Sequence, residues 1–407
     1  MQPLRVLISS GIFPNRILGN RGIYNLKQAQ ALQRAGCDVK VVAPVPYFPR
    51  FLRVRAYAWQ ASVPGEDDVA GFRVEYPRYF VTPKILRSFH GFFLFLSVVF
   101  RYRRIVSQFR PDVIYGFFAY PYGFANALMG KVFGIPVVTY CRGSDIHSIA
   151  QNRLQGRLIG WSLRLADRVF SVSGALKRDV TALGVDPEHV SVIFNGIEPD
   201  RFTPMSVEDA RGRLSLDAVG RLAVCVSRLS AEKGIDVLVE AAARVQTPGF
   251  RLVVVGGGPE RAALEEQARR LGIEDRVVFA GDQPHDEVPV WVAAGDVFVL
   301  GSRKEGYPNA VVEALACGRP VVATRVGGVP EIVTSDALGL VVNPEDPQEL
   351  AAAVDEALRR DWDHAAIEAA GKARDWDTVA RDVLCEFNLL LKRPSPRPGA
   401  ERTREVS

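Results

Sequence analysis

Short apolar runs alternate with amphipathic stretches along the whole chain. The runs 4–9, 39–43, 111–115, 136–140, 169–173 and 190–194, and later 222–226, 252–255, 277–280, 297–300, 321–324 and 340–342, are rich in Val, Ile and Leu with few polar interruptions. That is the pattern of parallel strands covered on both faces. Between them lie helical stretches: 24–35, ended by Gly36; 124–133; and 310–317, ended by Gly318. After 342 the chain reads as helical to about 392. Repeated strand–helix–strand units predict an α/β architecture. The first unit lacks Gly-x-Gly-x-x-Gly, so it does not read as a dinucleotide site.

Two stretches break the rhythm. Residues 47–79 are rich in aromatic residues, Pro and Arg (Arg50, Arg53, Arg55, Tyr57, Trp59) and form no clean element, which makes them a candidate binding loop. Residues 89–109 carry Phe92, Phe93, Phe95 and Phe100, then Arg101, Arg103 and Arg104. Aromatic residues beside arginines suit a membrane interface, the arginines pairing with lipid phosphates. A buried helix ending in cations that match its dipole fits the same residues.

At 407 residues the chain suits two domains of about 150–200 residues each. Asn195-Gly196 and Pro199 mark a linker over 195–202, and the boundary is placed near Pro204, giving a domain 1–203 and a domain 204–375. Residues 393–407 are polar, Pro-rich and expected to be disordered. Cys37, Cys225, Cys317 and Cys385 lack metal-ligand spacing and read as buried free thiols of a reducing, cytoplasmic compartment. No leader is visible, because 4–9 already reads as a strand, and no apolar run reaches the roughly 18 residues of a membrane span. Residues 1–200 carry 25 Lys+Arg against 13 Asp+Glu, the remainder 26 against 33. A basic first half beside an acidic second half suggests that the first meets an anionic partner, with an anionic membrane surface as the candidate and no nucleic acid expected.

The candidate chemistry centres on 304–331. An apolar strand, 297–300, leads through a loop with Gly306 and Pro308 to a helix for which Asn309 is a plausible N-cap. Free N–H groups of a helix start then face the carboxyl end of a strand, a place for a phosphate. Glu305 precedes the helix and Glu313 lies one turn inside it, each suited to accept hydrogen bonds from sugar hydroxyls. A solvated Glu and a helix-surface Glu would show the same spacing. Further on, Arg228 and Lys233 flank a turn after strand 222–226, where two cations clamp a diphosphate from two sides. Gly256-Gly257-Gly258 follows the next strand.

The order Glu305-Gly306-Tyr307-Pro308-Asn309 with Glu313, then Cys317-Gly318-Arg319-Pro320 and Gly327-Gly328-Val329-Pro330-Glu331, resembles the donor site of family 4 glycosyltransferases. The resemblance implies a GT-B fold, two Rossmann-like domains facing a cleft, with helix 376–392 packing back on the first domain. It implies a retaining, metal-independent transfer from a nucleotide-sugar donor to a lipid-linked or polysaccharide acceptor. Glu313 would then hold the ribose, and Glu305 the donor sugar. Arg228, Lys233, Gly22 and Gly257 would approach the diphosphate, and the amides near Asn309 and Ala310 the sugar and phosphates. No cofactor is expected. Residues 111–145, with Phe118-Ala119-Tyr120-Pro121 and Arg142-Gly143-Ser144-Asp145, resemble one branch of that family. Two family histidines match Tyr115 and Phe117, and the second is commonly the active-site one. Asp145 and His147 could supply a polar group in its place, or Asp145 caps the following helix. A nucleotide-sugar 2-epimerase and a catalytically degenerate scaffold remain as alternatives. Asp361-Trp362-Asp363 and Asp375-Trp376-Asp377 look like a metal motif of another transferase fold but sit in helical stretches far from this segment, so no metal is expected.

Overall fold

The computed structural model describes residues 2–17, 22–47, 60, 62–82, 86–147, 152–216 and 220–392. The first half carries β1 (Arg5–Ser9), β2 (Asp38–Val42), β3 (Val45–Tyr47), β4 (Glu66–Val69), β5 (Phe72–Glu75), β6 (Arg78–Phe80), β7 (Val113–Phe117), β8 (Val137–Cys141), β9 (Arg168–Ser171) and β10 (Val190–Val192). Eight of these form one sheet in the order β10-β9-β8-β7-β1-β2-β5-β4, parallel except for β4. The second half carries β11 (Leu222–Val226), β12 (Arg251–Val255), β13 (Val277–Gly281), β14 (Val297–Leu300), β15 (Val321–Thr324) and β16 (Gly339–Val342), in the order β13-β12-β11-β14-β15-β16, all parallel. Every residue of β7, β8, β14 and β15 is buried, which explains their largely apolar sequence, broken only by Thr139 and Thr324.

Strand order reverses between β1 and β7 in one sheet and between β11 and β14 in the other. Crevices open at the carboxyl ends of strands beside such reversals, where ligands of α/β sheets bind. The chain crosses between the halves at 195–202 and returns where Asp375 bridges to Ile197. Helix Trp376–Leu390 then buries Trp376, Val379, Val383 and Phe387 in the core of the first sheet, against helix Ile23–Arg34.

Several sequence expectations need correction. The stretch 47–79 contains an antiparallel hairpin, β4–β5, turning at Ala70 (φ 50°) and Gly71 (φ 84°); the turn matches the primed geometry of two-residue hairpins. Its Glu66-Asp67-Asp68 strand hides from apolar patterning because it is an edge strand. Residues 48–59, with the arginines noted there, lie outside the described residues. Asp363 and Asp375 lie in no helix interior: each precedes a helix and caps it, accepting from Ala366 N–H (2.9 Å) and Thr378 N–H (2.7 Å). Cys385 is exposed, on the outer side of the last helix, whereas Cys37, Cys141, Cys225 and Cys317 are buried free thiols. Asn309 does not cap its helix. Pro308 holds that position, and the Asn309 side chain turns to Asn195 instead.

Helix His90–Phe109 buries one face and exposes the other, and its last turn carries no cation, contrary to the reading of a helix that ends in charges matching its dipole. Gly91, Leu94, Val98, Tyr102 and Ile105 face the core, while Phe92, Leu96 and Phe100 point outward. Among the described residues no helix is long and apolar enough to cross a membrane.

Candidate active site at the seam between the sheets

The loops at the carboxyl ends of both sheets meet along one seam. Lys233, in the loop after β11, donates from Nζ to Glu305 Oε1, after β14, at 2.7 Å. The pair thus spans the reversal point of the second sheet. Ser302 Oγ donates to the same oxygen at 2.7 Å. Glu305 is 7% exposed, so its charge is tolerated only because a cation and a hydroxyl compensate it. Arg228 shares the Lys233 loop; it is exposed and makes no salt bridge among the described residues. Its neighbour Leu229 donates an N–H to the carbonyl of Gly257 at 2.9 Å, bringing the glycine loop alongside.

Helix Asn309–Ala316 starts beside this pair, with Ala310 half-buried in its first turn. Glu313 is buried one turn in and accepts from the Tyr24 hydroxyl at 2.9 Å. Burial pushes its carboxyl up to about 7, with the Tyr24 bond pulling the other way. Tyr24 lies in the first turn of helix Ile23–Arg34, directly after Gly22. A φ of 82° at Gly22, with Ile12 O within 2.6 Å of where a Cβ would stand, makes that turn a glycine position.

Other contacts close the seam. Asn195 Nδ2 donates to Asn309 Oδ1 at 2.9 Å. Glu331 receives the backbone N–H groups of Gly174 (2.8 Å) and Ala175 (2.9 Å), the start of helix Gly174–Ala182, where a carboxylate complements the dipole. Gly143 and Gly306 pack backbone to backbone: a Cβ on Gly143 would stand 2.8 Å from Gly306 Cα. Between the lobes remains a cleft of about 590 Å³, lined by Ile146, His147, Arg178, Lys304, Glu305 and Gly327 among others.

Asp145 does not face this cleft as a free carboxylate, and it does not cap a helix ahead of it. It is fully buried and accepts from Ala119 (2.7 Å), Arg142 (3.1 Å) and Gly143 (2.9 Å) N–H groups. Burial pushes its carboxyl up, against the pull of those amides. It fastens the Arg142-Gly143 loop to the loop after β7. His147 does reach the cleft, with Nε2 2.8 Å from Asp179 Oδ2. Tyr115 and Phe117 are both buried within an aromatic cluster, their ring centroids 4.8 Å apart.

The structure thus joins Lys233 to Glu305, and Asn309 and Glu313 to the first lobe. Tyr24 and Ser302 escaped the sequence reading, while Asn195 entered it only as a linker residue and Glu331 only as part of a motif. The partners of Tyr24, Asn195, Glu331 and Ser302 lie 289, 114, 157 and 3 residues away, and only the Ser302 spacing is local in the sequence.

Comparison with known proteins follows the same seam. Residues 22–201 match the family described as Glycosyltransferase Family 4, and residues 207–374 the one described as Glycosyl transferases group 1. The chain is 30% identical over 358 residues to the Bacillus subtilis (strain 168) glycosyltransferase TuaC, named for teichuronic acid biosynthesis, covering 86% of this chain and 88% of that protein. It is 30% identical over 371 residues to a subunit of the phosphatidylinositol N-acetylglucosaminyltransferase of Arabidopsis thaliana, covering 87% and 74%. Among solved structures, the sucrose-phosphate synthase of Thermosynechococcus elongatus superposes with a TM-score of 0.76 at 21% identity, covering 96% of this chain and 99% of that one. Anabaena HepE, solved with UDP, gives 0.72 at 22% identity, covering 95% and 100%. The chain belongs to the group 1 and family 4 glycosyltransferases, built on the two-domain GT-B fold.

Proposed function

We propose that this chain transfers a hexosyl group from a UDP-sugar to a hydroxyl of a lipid-linked or polysaccharide acceptor, with retention of anomeric configuration and without a metal. The observation that carries the reading is the Lys233–Glu305 pair, with Glu305 lining the interlobe cleft and the helix that starts at Asn309 following it, Glu313 buried one turn in. Rupture of the glycosyl–phosphate bond leaves negative charge on the β-phosphate. Lys233, Arg228 and the amides of the helix starting at Asn309 are the groups to receive it. Glu313 would accept from the ribose hydroxyls and Glu305 from the donor sugar, while Gly22 and Gly257 give the backbone room to approach the diphosphate. The leaving phosphate itself takes the acceptor proton. HepE, with UDP in its structure, and relatives named for glycan and glycolipid synthesis support the donor and acceptor classes. A screen of UDP- and GDP-sugars is expected to show one UDP-sugar consumed with UDP released and an α-linked donor giving an α-linked product by NMR. Interconversion of the sugar nucleotide without any acceptor would instead indicate an epimerase. Neither nucleotide binding nor hydrolysis would indicate a scaffold.

The acceptor reading has its own support in the outer face of helix His90–Phe109. Phe89, Phe92, Leu96 and Phe100 recur at helical spacing and are 44%, 44%, 51% and 79% exposed. Arg87, Arg103 and Arg104 are exposed beside them and make no salt bridge among the described residues. An apolar stripe flanked by unpaired cations fits the headgroup boundary of an anionic bilayer. The protein is expected to co-sediment with vesicles of phosphatidylglycerol and phosphatidylcholine at low salt. Phe92→Glu with Phe100→Glu should reduce retention at least about tenfold. No retention of the unmodified protein at low salt would remove the membrane.

A further inference from the structure

The lobe opposite the Lys233–Glu305 pair holds a positive charge with no counter-charge. Arg142 lies with its guanidinium carbon 4.1 Å from the ring centroid of Tyr140 and 5.0 Å from that of Phe117. Its Nη2 donates to Asn25 Oδ1 (3.0 Å) and Gln28 Oε1 (2.8 Å), both on the first helix, and its Nη1 donates to Asn195 Oδ1. All three acceptors are neutral amides. Among the described residues no carboxylate pairs with the guanidinium, and its Nε is buried with no hydrogen-bond partner. The one carboxylate nearby in sequence, Asp145, receives the Arg142 backbone N–H rather than its side chain. Arg374 adds a second cation acting on Tyr140 rather than an anion. Arg142 is partly buried, and rings and amides, rather than an anion, hold it in place.

Its position relates it to the reaction. Arg142 covers Phe117, the ring at a position where the family resemblance implies a histidine. Asn195, held by Arg142, donates to Asn309, the first residue of the helix whose amides face the leaving phosphate. The Arg142 carbonyl touches Gly306, next to Glu305: a Cβ on Gly306 would stand 2.4 Å from it.

Resting on the reading of the cleft as a nucleotide-sugar site, we propose that Arg142 is a positioning residue: it holds Asn195 against Asn309, fixes the first turn of the 309–316 helix, and favours negative charge on the departing diphosphate. The bond between the sugar C1 and the β-phosphate oxygen breaks with its electron pair passing to that oxygen. C1 bonds to the acceptor oxygen, and the acceptor proton goes to the phosphate.

The test uses the full chain and the nucleotide-sugar that the unmodified protein consumes fastest, following UDP release from pH 5.5 to 9 together with thermal melting. Arg142→Lys keeps the charge but loses the forked bonds. It is expected to lower kcat at least about tenfold, with donor KM within about threefold and the melting temperature nearly unchanged. Asn195→Ala, which leaves the arginine but cuts its link to Asn309, is expected to lower kcat by a similar factor, and the double variant Arg142→Lys with Asn195→Ala to fall no more than about threefold below either single one. Arg142→Lys within threefold of the unmodified rate, or losses in the two single variants that multiply in the double one, overturns the assignment. So does a loss of rate in Arg142→Lys matched by an equal loss of fold. An unmodified protein that binds neither UDP nor GDP and consumes no sugar nucleotide defeats the underlying reading itself, and Arg142 with it.

Discussion

Lys233→Ala is expected to lower turnover at least about tenfold and, by the usual weight of a single preorganised group, nearer 100-fold. The lysine has two tasks. It neutralises Glu305, which is 7% exposed, and it offers charge to a diphosphate. Without it, Glu305 keeps only the Ser302 hydroxyl, and the protein should lose about 1–2 kcal/mol of stability, an estimate lowered because the lysine is itself 26% exposed. Glu305→Gln should lower turnover by a similar factor, because an amide accepts less well from the donor sugar. The two variants part in their affinity for UDP, read by calorimetry. Lys233→Ala should weaken UDP binding at least about tenfold, since a phosphate partner is gone, whereas Glu305→Gln should leave it within about threefold because the lysine is then freed. Near-normal turnover in both variants would end the assignment of this cleft as the site of chemistry.

The second large effect concerns Glu313. Its folded-state carboxyl lies near 7, against an ordinary value of 4.5, because it is buried. Between those two values the folded protein holds a proton that the unfolded chain has released. Stability is therefore fullest below about pH 4.5 for this group and falls as pH rises to about 7, then levels off. Ribose hydroxyls donate, so they favour the ionised carboxylate. The nucleotide-sugar donor, whose esterified diphosphate has no group titrating near neutrality, should bind more tightly as pH rises through 7, releasing a fraction of a proton near pH 6.5. Calorimetry in two buffers of different ionisation enthalpy reads that proton directly. Glu313→Gln should abolish both the release and the pH dependence, and weaken UDP about tenfold or more. Persistence of the release in that variant would place the titrating group elsewhere.

The two sheets were legible because their strands are buried on both faces and read as continuous apolar runs; 124–133 and 297–300 match the helix and strand found. The hairpin Glu66–Glu75 was not, since an edge strand carrying Asp67 and Asp68 gives no apolar signal. The donor-side residues were legible because they cluster in one segment with fixed spacing. Their first-lobe partners were not, because Tyr24 and Asn195 are ordinary helix and turn residues until the fold brings them to Glu313 and Asn309. Asp145 misled for a physical reason: a carboxylate at the end of a strand looks the same in sequence whether it meets substrate or gathers three backbone amides.

The contact of Glu331 with the amides of Gly174 and Ala175, beside the close approach of Gly143 to Gly306, ties the two lobes along one side of the cleft. A carboxylate that receives two N–H groups fixes direction as well as distance, so the registration of the groups on either bank rests on main chain rather than on long, rotatable side chains.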